Sequence, residues 1–191
     1  MGSTRRVIVI LGAGGTLGTA LSRHLAAEPD TDLVLSDLSE DALEQAADGI
    51  AASAGAASAG GVATVPADIS DFAAVENVIT HAVDRFGRLD VLISNAGVLA
   101  PNGRIHNLST EDWERSYRIN VLGPVNGIKA AVPVMRAQRS GSIILTASAG
   151  RPACIPDRKV PGHTQLTRMP SRAYSTAATL ARWMTPALVT Q

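Results

Sequence analysis

Arg5-Arg6-Val7-Ile8-Val9-Ile10-Leu11 runs without a break into Gly12-Ala13-Gly14-Gly15-Thr16-Leu17-Gly18. The first half is continuously apolar and β-branched, which predicts a strand buried on both faces of a parallel sheet. The glycines stop it. Leu17, Ala20, Leu21, His24 and Leu25 then recur at helical spacing as far as Pro29. A strand that turns through glycines into a helix brings backbone N–H groups and a helix N-terminus to one point, and that arrangement suits a pyrophosphate. In this reading Gly12 permits the turn, Gly15 permits close approach of a ligand, and Gly18 permits close helix–strand packing. Gly14, Thr16 and Leu17 complete the loop. The alternative is a glycine-rich turn that holds nothing.

Outward from this stretch, strand and helix signals keep alternating. Residues 33–36 form a second strand, and 39–54 are helical in composition with Ser39 as N-cap. Residues 51–61 hold little but Ala, Ser and Gly, as a frayed helix end and flexible connector would. Residues 62–65 form a third strand. Phe72, Val75, Ile79, Ala82, Val83 and Phe86 share a face of a helix over 71–86, which Gly87 stops. Residues 89–94 form a fourth strand and 95–108 a loop. A long helix then begins at Ser109 or Thr110, with Trp113, Tyr117, Val121, Ile128, Val132 and Met135 on one face. Gly123, Pro124 and Pro133 fall inside it and predict a kink or break. Residues 141–147 form a fifth strand.

Five alternations predict an α/β fold, a doubly wound parallel sheet of Rossmann-like type. Residues 1–150 read as one domain. Residues 151–191 are an atypical tail in which Pro152, Pro156, Pro161 and Pro170 interrupt any period. One helix over 172–185 fits the tail's pattern, and nothing after it supplies a sixth or seventh strand, so the sheet reads as incomplete at its C-terminal edge.

Composition narrows the function classes. The chain has 191 residues, 46% apolar and 18% charged, which suits a globular domain. Lys plus Arg balance Asp plus Glu at 17 each, with no basic run to hold nucleic acid or anionic lipid. Cys154 is the only cysteine, and His24, His81, His106 and His163 lie far apart, so no metal-ligand spacing exists. No apolar segment is long enough for a signal peptide or membrane span, which makes the cytoplasm the default location.

Asp37 ends the second strand, 19 residues after Gly18. An acid there meets the adenosine ribose hydroxyls of a dinucleotide. It would repel a 2′-phosphate by roughly 1 kcal/mol in water and about 4 kcal/mol at an intermediate dielectric, which favours NAD over NADP. The bland alternative is that Asp37 merely caps the next helix together with Ser39.

Further motifs occur in a fixed order. Asp68-Ile69 follows the third strand. Gly87-Arg88-Leu89-Asp90-Val91-Leu92 leads into Ser94-Asn95-Ala96-Gly97 after the fourth. Arg118-Ile119-Asn120-Val121 lies in the long helix, and Gly141-Ser142-Ile143-Ile144-Leu145-Thr146-Ala147-Ser148 carries the fifth strand. With the glycine turn, these resemble the short-chain dehydrogenase/reductase family over residues 5–150. One detail differs: many members place the middle glycine where Thr16 stands, and the spacing Gly12, Gly15, Gly18 resembles the family's extended branch.

The resemblance implies hydride transfer between the nicotinamide of NAD and a small-molecule alcohol or carbonyl. It implies that Asp68 contacts adenine, that Ile69 beside it belongs to the cofactor site, and that Asn95, Ala96 and Gly97 support the central sheet and line the cofactor cleft. Ser148 matches the serine that holds the substrate oxygen. Asn120 matches the asparagine that anchors a proton-relay water. The family's general acid/base is a tyrosine, followed one helical turn later by a lysine. Tyr174 has the local look of that tyrosine segment, yet Ala178 stands where the lysine belongs and no lysine follows Lys159. A phenol of pKa about 10 is a poor base at neutral pH without a neighbouring cation. Tyr117 reads as core or helix surface.

In the family, the segments after the tyrosine helix shape the substrate pocket and often the oligomer interface. A homo-oligomer is compatible with the resemblance, although those segments have no counterpart here. The tail reads as though the C-terminal part were lost by truncation, alternative splicing or a reading-frame error. Three readings follow: an NAD-dependent oxidoreductase, a dinucleotide-binding protein impaired in catalysis, and a truncated inactive fragment.

Overall fold

The computed structural model describes residues 5–53, 60–99 and 105–147. The backbone divides into Met1–Thr146 and Ala147–Gln191, and the fold described here belongs to the first unit. The tail's prolines and the helix expected over 172–185 lie outside the described residues.

Five strands form one parallel sheet: β1 (Arg6–Leu11), β2 (Thr31–Ser36), β3 (Val62–Thr64), β4 (Val91–Ser94) and β5 (Ser142–Leu145). Their spatial order is β3-β2-β1-β4-β5. Each crossover carries helix: α1 (Thr16–Ala26), α2 (Glu40–Ser53), α3 (Phe72–Phe86) and, between β4 and β5, α4 (Thr110–Tyr117) and α5 (Gly123–Gln138). The doubly wound α/β sheet read from the sequence is the fold observed.

The register shows why β1 had to be apolar throughout. Val9 pairs with Val34 on one side and Leu92 on the other. Val7, Val9, Leu11, Val34 and Leu92 join Val75, Ile79, Ala131 and Met135 in one buried cluster with α3 and α5. Ile8, Ile10, Leu33 and Leu35 are equally buried but belong to the opposite face, because alternate strand residues point opposite ways. Each such side chain contributes roughly 1.5–3 kcal/mol by leaving water.

Local chemistry sets the element ends. Asp71 caps α3 by accepting from the Ala73 N–H at 2.9 Å, and Gly87 closes it in the left-handed conformation at φ 81°. Ser39 accepts from Ala42 N at 3.2 Å at the start of α2. Ser109 and Asp112 form a reciprocal capping box that starts α4. Of the two caps left open by the sequence, Ser109 is the one used.

The long helix departs from expectation in two ways. First, the irregularity precedes the prolines: a π turn, Arg118–Leu122, separates α4 from α5. Pro124 sits at the start of α5, where its missing N–H costs nothing, and Pro133 is carried inside an unbroken helix. Second, the proposed apolar face is not buried along its length. Met135 is buried, whereas Trp113, Tyr117 and Val121 are 46%, 55% and 44% exposed. Helical spacing identifies a shared face but not what covers it. Tyr117 is therefore a surface residue.

Two clasps hold α5 to the sheet. Gln138 accepts from Leu89 N at 2.9 Å and donates to Leu89 O at 2.8 Å, and Asn126 donates to Ile69 O at 3.0 Å. The second fixes the segment after β3, which borders the cleft.

Candidate functional site

The winding reverses between β1 and β4, so the connections after these strands diverge and leave a crevice at their C-terminal ends. A cleft of about 520 Å³ lies there. Gly12, Gly14, Gly15, Thr16 and Leu17 line one side of it. Asp37 lies after β2, Asp68 and Ile69 after β3, and Asn95, Ala96 and Gly97 after β4, all on the same cleft. Gly18 lies beneath the loop, and Asn120 stands at the Val98 wall. The structure thus gathers the glycine turn and every residue assigned to the cofactor. Ser148 and Tyr174 lie outside the described residues.

The four glycines of the turn differ in what demands them. Gly12 has φ 85°, and a Cβ there would come within 2.5 Å of the Ala96 backbone. A Cβ on Gly14 would meet the Ala42 methyl at 2.6 Å, and one on Gly18 would overlap the Gly12 carbonyl oxygen. Protein atoms explain these three. Gly15 is different: a Cβ there would meet only Gly12 O, at 3.9 Å. The space beside it opens on the cleft. Gly15 is also the N-cap of α1, with no side chain capping the helix and no acid in its first turn. A cradle with an uncapped helix N-terminus and room for an atom group at Gly15 fits a pyrophosphate.

Hydrogen bonds hold the loop in this shape. Gly12 N and Ala13 N both donate to Ser36 O, at 2.7 and 2.9 Å. Asn95 Nδ2 donates to Gly12 O at 3.0 Å, while Asn95 N and Ala96 N both donate to Leu11 O at 2.9 Å. The turns after β1 and β4 are thereby tied together. Asp37 is half-buried. Its Oδ2 accepts from Gly14 N at 2.9 Å, and its Oδ1 accepts from Ser39 N at 3.4 Å, a long contact. It stands on the cleft and braces the start of the α2 turn, so the two readings of Asp37 are not exclusive. Asp68 Oδ1 accepts from Ser70 N at 2.8 Å in a local turn, and its other oxygen accepts from no donor among the described residues.

Asn120 lies in the π turn. Its Oδ1 accepts from Val98 N at 2.9 Å, and its Nδ2 donates to Val98 O at 2.9 Å and to Ser116 Oγ at 3.2 Å. Both amide hydrogens are engaged within the protein, so the side chain braces the wall after β4. Val98 and Ser116 were not legible as site residues, because nothing in their own neighbourhood marks them. Ile119 also lines the cleft and packs against the core cluster.

Arg88 donates to Asp90 from Nε at 2.8 Å and from Nη2 at 2.6 Å, and this hydrogen-bonded carboxylate raises the guanidinium further above its ordinary value. The pair lies at the start of β4, away from the cleft. No helix among the described residues is long and apolar enough to cross a membrane.

Known proteins share this arrangement. Residues 6–153 match the model of the short chain dehydrogenase family. Levodione reductase of Leifsonia aquatica is 35% identical over 147 residues, 77% of this chain and 54% of that protein. The 2,3-dihydro-2,3-dihydroxybenzoate dehydrogenase of Bacillus subtilis is 33% identical, over 75% of this chain and 52% of its own. Among solved structures, levodione reductase superimposes with a TM-score of 0.70 over 75% of this chain and 54% of its own, at 35% identity. NAD+-bound xylitol dehydrogenase does so with a TM-score of 0.69 at 30% identity, over 75% of this chain and 53% of its own. The chain spans about half the length of the curated relatives it matches. The sheet order, the cleft at its reversal point and these matches agree: the chain belongs to the short chain dehydrogenase family.

Proposed function

We propose that this chain carries the dinucleotide-binding half of an NAD-dependent oxidoreductase that transfers hydride between NAD(H) and a small-molecule alcohol or carbonyl. The observation that carries the reading is the opening at Gly15. Three glycines of the turn are demanded by protein atoms, and the fourth faces open cleft. Gly15 needs no glycine for packing, so the room it leaves is best explained by a ligand that approaches the backbone closely.

NAD supplies the ring that accepts or gives the hydride. The chain's part is binding and orientation. The N–H groups at the start of α1 face the pyrophosphate, and Asp37 accepts from the ribose hydroxyls and repels a 2′-phosphate. Asn120 fixes the Val98 wall by its three side-chain hydrogen bonds. Ser148 is assigned to hold the substrate oxygen, and Tyr174 is the candidate for moving the proton.

A second reading is binding without turnover. The observation that favours it is Ala178 in place of the expected lysine, with no lysine after Lys159. Loss of that cation's effect on the phenol would cost about 10²–10⁴ in rate.

Calorimetric titration with NAD and then NADP tests the first claim, and saturable binding that favours NAD is expected. Absence of binding to either would remove the reading. Turnover followed at the nicotinamide absorbance across an alcohol and carbonyl panel then separates the two versions. Turnover abolished in Ser148→Ala supports the oxidoreductase; binding without turnover supports the second reading.

A further inference from the structure

Arg115 lines the cleft, and it is the only basic residue among the described residues to do so. Its guanidinium is exposed and has no hydrogen-bond or ion-pair partner among the described residues. Two acids lie one turn before it on its own helix, Glu111 and Asp112; Asp112 is engaged in the Ser109 capping box, and neither pairs with Arg115.

Its place in the cleft follows from helix geometry. Residues four apart stand one above the other on a helix. The Ser116–Asn120 hydrogen bond shows that this alignment holds into the π turn. Ile119 therefore lies one turn from Arg115 and lines the same cleft. Beyond the π turn, a Cβ on Gly123 would come within 2.9 Å of Ile69, so the start of α5 packs against the segment after β3. Arg115 lines the same cleft as Ile69 and Ile119. These two give it an apolar floor: Ile69 is buried and Ile119 is half-buried.

An unpaired planar cation above an apolar floor suits a flat heteroaromatic ring, because guanidinium stacks on a π face and is only weakly hydrated. We infer that Arg115 recognises the adenine base of the dinucleotide, covering the ring at the rim of the cleft while Ile69 and Ile119 support it from within. The inference rests on the dinucleotide reading given above.

The test is calorimetric titration of the full chain with NAD, for the unaltered protein, Arg115→Ala and Arg115→Lys. Thermal unfolding checks that the fold is kept, as expected for an exposed side chain. Arg115→Ala is expected to weaken NAD binding roughly three- to thirtyfold, the range of a cation–π contact. Arg115→Lys keeps the charge but loses the plane and is expected to recover only part of the loss. NAD affinity unchanged in Arg115→Ala overturns this inference alone. Full recovery in Arg115→Lys also overturns it, because a point charge toward phosphate would then account for the effect. Absence of NAD binding by the unaltered chain overturns the dinucleotide reading, and this inference with it.

Discussion

The Asp37 carboxylate accepts from the Gly14 N–H and stands on the cleft at the same time. A substitution that removes the whole side chain therefore mixes two effects: a lost acceptor for the glycine turn and a lost charge beside the ligand. Asp37→Asn separates them, since the amide oxygen still accepts from Gly14. Asp37→Asn is expected to narrow the NAD-over-NADP preference by about fivefold to several hundredfold, the size of a like-charge repulsion of roughly 1–4 kcal/mol. Asp37→Ala is expected to narrow it similarly and to weaken both cofactors. Equal affinity ratios in Asp37→Asn and the unaltered protein would confine Asp37 to the turn. The glycines allow a second contrast at this scale. Gly15 has φ −73°, which alanine adopts freely, and nothing crowds its Cβ. Gly15→Ala is expected to change stability by about 1 kcal/mol or less, the gain from a stiffer unfolded chain being offset by alanine's poorer fit at the N-cap, while weakening NAD binding. Gly18→Ala overlaps the Gly12 carbonyl and is expected to lower stability by about 1–3 kcal/mol. Thermal unfolding paired with NAD titration of both variants reads the difference; if Gly15→Ala binds NAD normally, the ligand does not approach there.

At the level of elements, much of the fold was legible because local chemistry and tertiary environment agree. The apolar run of β1 is buried on both faces, Ser39, Asp71 and Ser109 cap the helices that follow them, and Gly87 ends α3. The β4–β5 connection was less legible. Trp113, Tyr117 and Val121 share a helical face, but no strand or helix among the described residues covers them. The π turn left no pattern of its own, because it serves a distant contact, Asn120 with Val98. For the same reason the sequence could nominate Asn120 but not what its amide does. Asp90 shows a comparable long-range role inside an ordinary strand entrance. Its Oδ2 accepts from Val7 N at 2.9 Å as well as from Arg88, and Val7 is 1% exposed. Asp90→Ala would leave that buried N–H without its acceptor, and the expected loss is about 1–3 kcal/mol in denaturant unfolding. A change within experimental error would show that the β1 entrance does not depend on this carboxylate.

For the whole molecule, the sheet predicts a gradient of stability. β1 is paired on both sides, by β2 and β4, and its residues from Val7 to Leu11 are at most 2% exposed. Among the described strands β5 pairs only with β4, and Leu145 on it is 49% exposed. β3 is a three-residue edge. Amides in short, singly paired, exposed strands exchange through local opening, whereas those at the centre wait for global unfolding. Hydrogen exchange followed by mass spectrometry should therefore find β1 and β4 slowest, with β5 and β3 faster. A ligand that binds only the folded state adds protection everywhere the global reaction governs, about 2.7 kcal/mol at a hundredfold excess over its dissociation constant. NAD should therefore slow β1 through global stability and slow residues 12–18 and 95–98 directly, as the loops that line the cleft. Protection of β5 equal to that of β1 would mean that the edge strands do not open locally and that the described sheet unfolds as one unit. Protection of β1 by NAD without any change at residues 12–18 would place the dinucleotide elsewhere than at the glycine turn. Both effects together would tie the stability of the sheet to the cleft at its reversal point, the coupling that a fold with its ligand crevice at the centre of the strand order requires.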